Sequence, residues 1–191
     1  EFFDVLDGLA RLVDKSLVLV EARTEGGSRY RFLETMRQYA LEKLEESGES
    51  ATLRARHLEH FLALAEAAEP RLWGPDQTAW LARLEVEHEN LLAALAWCDR
   101  AEDGAGKAVR LAGSLWRFWT IHGHYRPGRA ALAEALGRPG ASLPSPARAR
   151  ALYGAGYLAL WQGEVTAALP LFEESLGLSH ALGDRQGEAR A

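Results

Sequence analysis

Cysteine is almost absent from the sequence: Cys98 stands alone among 191 residues, with one methionine for company. A single thiol leaves no internal disulfide and no thiolate-rich metal site, and it suits a reducing compartment. Long apolar runs are missing too. None approaches the ~20 residues that a membrane helix requires, and the opening, with Glu1 and Asp4, lacks the basic-then-apolar order of a secretory signal. These absences point to a cytoplasmic protein with no membrane partner. Neither sign of charge dominates: 27 acids face 22 bases, a formal −5, which gives no general attraction to nucleic acid or anionic lipid. What remains is 48% hydrophobic and 26% charged, a composition that folds and that excludes disorder and collagen. The length admits one large domain or two small ones.

The first third differs from the rest. Phe2, Val5, Leu6, Leu9, Leu12 and Val13 recur at three- and four-residue steps, the period of an amphipathic helix. Leu17 to Val20 is a short apolar run, Thr24 to Ser28 a turn, and Tyr30 and Phe32 alternate with Arg29 and Arg31 as in a half-buried strand. Thr35 and Gln38 form a capping-box signal for a helix that Ser47-Gly48 ends. Beyond residue 50 every pattern is helical. Helices are expected to about residue 70, from Asp76 to Asp99 as one piece, and over 107–122, 125–137, 146–162 and 164–182. Trp73-Gly74-Pro75 and residues 138–146 read as loops, and Asp103-Gly104-Ala105-Gly106 as a breaker. Ser145-Pro146 supplies an N-cap and N1 pair.

Within this helical part the chain repeats itself at an offset of 40 residues: Gly123 falls on Gly163, Glu134 on Glu174, Leu136 on Leu176 and Gly137 on Gly177. Gly156, Gly163, Ala168, Phe172 and Leu176 stand at the small and large packing positions of a helical hairpin, and here the chain resembles tetratricopeptide repeats. Gly163 suits the tight inter-helix turn. The likeness is better over 147–182 than over 107–138, where Trp116 and Gly128 replace the expected small residue and alanine. The last residues, Gln186 to Ala191, read as the start of a further helix. An uncapped helical stack exposes apolar surface, so the chain is expected to be part of a longer protein.

A wider likeness covers nearly the whole chain. The run Leu12-Val13-Asp14-Lys15-Ser16-Leu17-Val18, then Arg29-Tyr30-Arg31-Phe32-Leu33-Glu34-Thr35-Met36-Arg37-Gln38-Tyr39-Ala40, is its most specific part. Arg56-His57, Phe61 to Glu66, Trp80-Leu81, Asn90-Leu91 and Trp116-Arg117-Phe118-Trp119 before Gly123-His124-Tyr125 follow in order. This order resembles the region after the nucleotide-binding domain in bacterial STAND-type signalling ATPases, including large LuxR- and AfsR-type transcriptional regulators. The resemblance implies a mostly α fold: residues 1–48 as the C-terminal part of a winged helix (one helix plus a β-hairpin), and 50–191 as an α-α superhelix of tetratricopeptide-like hairpins. It implies a sensor and interaction arm, whose partners would be an upstream nucleotide-switch domain of the same protein and a protein or small-molecule inducer. A stand-alone tetratricopeptide-type adaptor is the alternative.

No catalytic constellation emerges, and no enzyme activity or cofactor is expected. The nearest approach to a phosphate-binding loop is Gly106-Lys107, but Ala101 and Ala108 occupy the positions of its first glycine and its hydroxyl. His57 with His60, and His122 with His124, find only Glu59 and Glu66 as carboxylates at helical spacing, so no metal site is expected. Glu85, Glu87 and Glu89 alternate on one expected helix; Glu85 and Glu89 share a face, but no acid–base pair forms. Trp116, Trp119 and Trp161 are expected to pack between helices, and Trp73 to plug a joint. Duplex binding through the winged part is disfavoured, since residues 1–70 carry fourteen acids against nine bases. The candidate partner groove comes from the repeat likeness: Arg110 and Arg117 beside Arg150, Tyr153 and Tyr157, cations with aromatic neighbours suited to an acidic or aromatic peptide or a carboxylate. The plainer reading of the same residues is packing tyrosines and solvated arginines.

Overall fold

The computed structural model of the chain describes residues 2–22 and 28–190. The fold is mostly α with one β-hairpin. By backbone contacts it divides into two compact units, residues 1–53 and 54–191.

The first unit is built as the period of its sequence requires. Helix α1 (Phe2–Asp14) is followed by strands β1 (Val18–Ala22) and β2 (Ser28–Phe32), then by α2 (Glu34–Glu46). The strands pair antiparallel, with Val18 opposite Phe32 and Val20 opposite Tyr30. Arg31 reaches diagonally to Glu21 at 3.3 Å. The expected turn, Thr24 to Ser28, lies outside the described residues except at Ser28, which opens β2. Two local readings are corrected. Tyr30 and Phe32 alternate as in a strand, yet both are themselves exposed, and on their face it is Val18, opposite Phe32, that is buried. The capping box does not form: the N-cap is Leu33, Thr35 lies inside the first turn, and no side chain caps the helix. Glu34 instead receives two hydrogen bonds from Arg37, at 2.6 and 2.9 Å. Ser47 ends α2 as expected.

Helix α3 (Ser50–Ala68) runs into a 3-10 turn over Glu69–Trp73. Next come α4 (Gln77–Val86) and α5 (His88–Trp97) where one helix was expected. The break is a single residue: Glu87 adopts φ −99°, ψ 7°, and its N–H is shared between the carbonyls of Arg83 and Leu84. With the helix broken there, Glu85 and Glu89 lie on different helices. Asp76 precedes α4 without capping it through its side chain, which takes a hydrogen bond from Arg71 at 2.9 Å instead.

Two helical hairpins follow, α6 (Gly104–Ile121) with α7 (Tyr125–Gly137) and α8 (Pro146–Trp161) with α9 (Val165–Leu182), then the short α10 (Arg185–Arg190). Gly104 to Gly106 do not break a helix but begin one. Asp103, at φ 51°, is the turn residue, and a Cβ on Gly104 would collide with the Cys98 backbone. Each hairpin turns on a left-handed glycine, Gly123 at φ +77° and Gly163 at φ +80°, a conformation that a Cβ disfavours. Ser145 caps α8 by accepting a hydrogen bond from the Arg148 N–H at 3.1 Å. The core of the unit centres on α6, whose Trp116, Phe118 and Trp119 are its largest fully buried side chains. Trp161, by contrast, is exposed, stacked parallel on Tyr125 with ring centres 6.0 Å apart.

Candidate functional site

The five residues proposed to line a groove all fall in the second unit, and the three arginines among them each contact one segment, the end of α3 and its 3-10 turn. Arg110 donates two hydrogen bonds to the Glu66 carboxylate, at 2.8 and 2.9 Å, the planar fork that guanidinium and carboxylate geometry favours. That pairing holds the Arg110 guanidinium more firmly protonated than usual, the hydrogen bond it donates to Glu66 being the main cause. The Arg117 Nε–H donates to the Leu72 carbonyl at 2.9 Å, and its guanidinium lies 3.5 Å from the centre of the Trp73 ring, a cation–π contact. Gln77 donates to the same carbonyl at 2.6 Å, so the 3-10 turn is fastened from two sides. Trp73 also approaches Trp116, 6.1 Å between centres, while remaining partly exposed.

Tyr153 and Tyr157 set their rings against Trp116 at 5.2 and 5.3 Å, edge to face, an arrangement that the ring quadrupoles favour. Tyr153 also meets Phe172 at 5.5 Å. Arg150 lies 3.8 Å from Glu69, and with Tyr153 and Glu69 it lines a cavity of about 70 Å³ that Ser175, Ser179 and Asp184 also line. Ser175 donates to the Ala149 carbonyl at 2.8 Å, whereas the Ser179 hydroxyl is buried with no hydrogen-bond partner among the described residues. A space of this size takes a few waters or a carboxylate, not a nucleotide.

Lys107 of the rejected phosphate-loop candidate pairs with Glu59 at 2.8 Å, which accounts for it as a fold contact. Glu59 and Glu66, the carboxylates at helical spacing from His57 and His60, are thus engaged by Lys107 and Arg110. The other histidine pair has a different neighbour, which sequence spacing did not reveal. His124 Nε2 lies 3.1 Å and His122 Nδ1 3.2 Å from the same oxygen, Oε2 of Glu85. The hydrogen bond with His124 and the charges of the surrounding imidazoles hold the Glu85 carboxyl below its ordinary range. His88 stacks on His124 with ring centres 4.4 Å apart and accepts a hydrogen bond from the buried Trp119 indole at 3.2 Å. Burial, and secondarily His124, pushes the His88 imidazole toward its neutral form.

The sequence is similar over 99% of its length to the "Putative HTH-type transcriptional regulator" of Mycobacterium tuberculosis (strain ATCC 25618 / H37Rv), at 36% identity over 196 aligned positions. The Mycobacterium bovis protein of the same description matches equally. An uncharacterized protein of M. tuberculosis is 48% identical over 60 residues, 31% of this chain and 15% of that protein. The chain spans about a fifth of the length of the regulators it matches, 22%. No family model matches the chain, and no solved structure matches it.

Proposed function

We infer that this chain is a regulatory segment of a larger transcriptional regulator, acting by binding and not by catalysis. One observation carries the reading: the similarity to HTH-type regulators extends over 99% of this chain yet occupies only 22% of theirs. A segment of that kind contributes one part of a regulator's work. The helical hairpins of the second unit suit a sensor or interaction arm in the manner of tetratricopeptide repeats. The first unit suits the end of a winged helix that packs against an upstream nucleotide-switch domain; its exposed Val5, Leu6, Leu19, Val20 and Phe32 support a packing role. A ligand or protein held by the arm would shift the balance between locked and open forms of the whole protein. Arg150 and Tyr153, which line the cavity with Glu69, are the residues of the proposed groove best placed to meet such a ligand. The segment itself needs no cofactor for this.

Calorimetric titration of ATP and ADP into this chain and into the longer regulator that contains it tests the reading. Binding to the longer protein with none to the chain is expected. Binding to the chain would overturn the assignment of Lys107 to a fold contact. Binding to neither would favour the alternative, a tetratricopeptide-type adaptor that scaffolds a complex without a nucleotide switch.

A further inference from the structure

We propose that Glu85, His122 and His124 form a divalent transition-metal site, which joins the last turn of α4 to the turn between α6 and α7. The site stands apart from the sensor-arm reading and from the arginine–tyrosine set. Its three donor atoms, one carboxylate oxygen and two imidazole nitrogens, lie within 4.8 Å of one another. Two of the three separations are 3.1 and 3.2 Å. Ligands held at about 2.0–2.1 Å from a tetrahedral ion are roughly 3.3 Å apart, so the two separations from the Glu85 oxygen already match those of a metal's coordination sphere.

Local geometry explains how two nearby histidines come to face one carboxylate. Gly123 sits between them at φ +77°, and the reversal it permits leaves the two imidazoles nearly parallel, 8° between planes. Phe118 backs both rings, its centre 5.0 Å from that of His122 and 5.7 Å from that of His124. His88 stacks behind His124, and its Nε2 accepts from Trp119, so that ring is an orienting neighbour and not a fourth ligand through this nitrogen. Orienting contacts of this kind fix the rotamers that a ligand set requires.

The donor chemistry selects the ion. Imidazole with carboxylate suits zinc, nickel, copper and cobalt; the all-oxygen sets that calcium and magnesium prefer are not present in this cluster. Three protein ligands leave a fourth position for water or for a donor from a partner. The imidazoles are 28% and the carboxylate 45% exposed, so an ion enters without any rearrangement of the core. One carboxylate and two neutral imidazoles leave a bound divalent ion with a net charge of +1, which favours an anionic or water ligand at the open position.

Titration of cobalt(II) into the metal-free chain, followed by its visible absorption, tests the proposal, with zinc affinity measured by competition against a chromophoric chelator. One equivalent of cobalt is expected to bind with the visible bands of a low-coordinate site, and zinc to displace it. Zinc should also raise the unfolding temperature. His122→Ala lies on an exposed turn and is expected to weaken zinc binding at least about tenfold, the scale that even an orienting residue commands. Glu85→Gln, nearly isosteric, gives the same reading should the alanine variant lose its far-ultraviolet dichroism. His57→Ala/His60→Ala is expected to leave the affinity unchanged. Absence of stoichiometric binding would overturn the proposal. So would binding that survives both His122→Ala and Glu85→Gln, or that is lost in the His57/His60 variant.

Discussion

Three glycines inside helices of the second unit form a matched set in which only the surroundings differ: Gly128 in α7, Gly156 in α8 and Gly177 in α9. Replacing a helical glycine by alanine gains about 0.5–1 kcal/mol where the added methyl meets no obstacle, because the unfolded chain loses freedom. At Gly177 a Cβ has nothing within 4 Å, so Gly177→Ala should stabilise by that amount. At Gly156 it would fall 3.0–3.1 Å from three atoms of the Phe172 ring, which is only half-buried and free to give by a few tenths of an ångström. An overpacking cost near the low end of about 1 kcal/mol then cancels the gain. At Gly128 the Cβ would meet three atoms of Trp119 at 2.8 Å, and Trp119 is 0% exposed with its indole bonded to His88. That ring has nowhere to go. A cost of about 2–3 kcal/mol outweighs the helical gain, for a net loss of about 1–2 kcal/mol. Urea unfolding followed by tryptophan fluorescence reads the series cleanly, since all six tryptophans, from Trp73 to Trp161, belong to the second unit. With a slope of about 1–3 kcal/mol per molar, the Gly177 and Gly128 variants should differ in midpoint by about 0.5–3 M. A Gly128→Ala variant as stable as Gly177→Ala would refute the packing of α7 against α6.

Further outcomes follow from single contacts. Ser145→Ala removes the side-chain cap of α8 and should cost about 1 kcal/mol in the same urea assay, while Ser145→Asp should retain most of the stability. Burial pushes the Cys98 thiol up to about 11, so it should resist alkylation at pH 8 in the folded chain and react at once in denaturant. Because the folded value exceeds the ordinary 9.0, that thiol's contribution is complete below pH 9 and is lost as pH rises toward 11; Cys98→Ala should flatten this part of the stability profile. His57 behaves in the opposite sense. Burial is the main cause that lowers its folded value below 6.5, so its contribution is present above pH 6.5 and is lost on acidification; urea midpoints taken in chelator from pH 7.5 to 5.5 should fall less steeply for His57→Gln.

The elements were legible where period and punctuation agreed. α1, α7, α8 and α9 each carry a helical stripe between a recognisable start and stop, and the glycines at 123 and 163 mark the hairpin turns without ambiguity. Failures came where tertiary contact decided. Residues 76–99 hold no proline or glycine to signal an interruption, and the break at Glu87 is accompanied by a contact that no local pattern encodes, Trp119 donating to His88 at 3.2 Å. At Gly104 the sequence suggested a breaker, but the missing Cβ serves a close approach to the Cys98 backbone. Trp161 belongs to the same class, since its exposure depends on what stands opposite the end of α8, which its own helix does not specify.

The arginine set and the histidine cluster show the same limit from two directions. An offset of 40 pairs Arg110 with Arg150 as equivalent repeat positions, which is a statement about the hairpin. It said nothing of Glu66, Leu72 and Glu69, which precede the repeats and now face Arg110, Arg117 and Arg150. For the histidines, helical spacing offers Glu59 and Glu66 beside His57 and His60, whereas the carboxylate that matters to His122 and His124 is 37 and 39 residues upstream. Its approach requires two separate irregularities, the left-handed turn at Gly123 and the end of α4 at Val86 before the Glu87 break. Each is a place where the helical ladder is interrupted, and side chains at interrupted ladders point in directions that a regular period does not offer. Candidate sites in helical-repeat chains are therefore better sought by pairing each inter-helix turn with the helix ends that pack against it than by scanning any one helix for i, i+3 and i, i+4 partners.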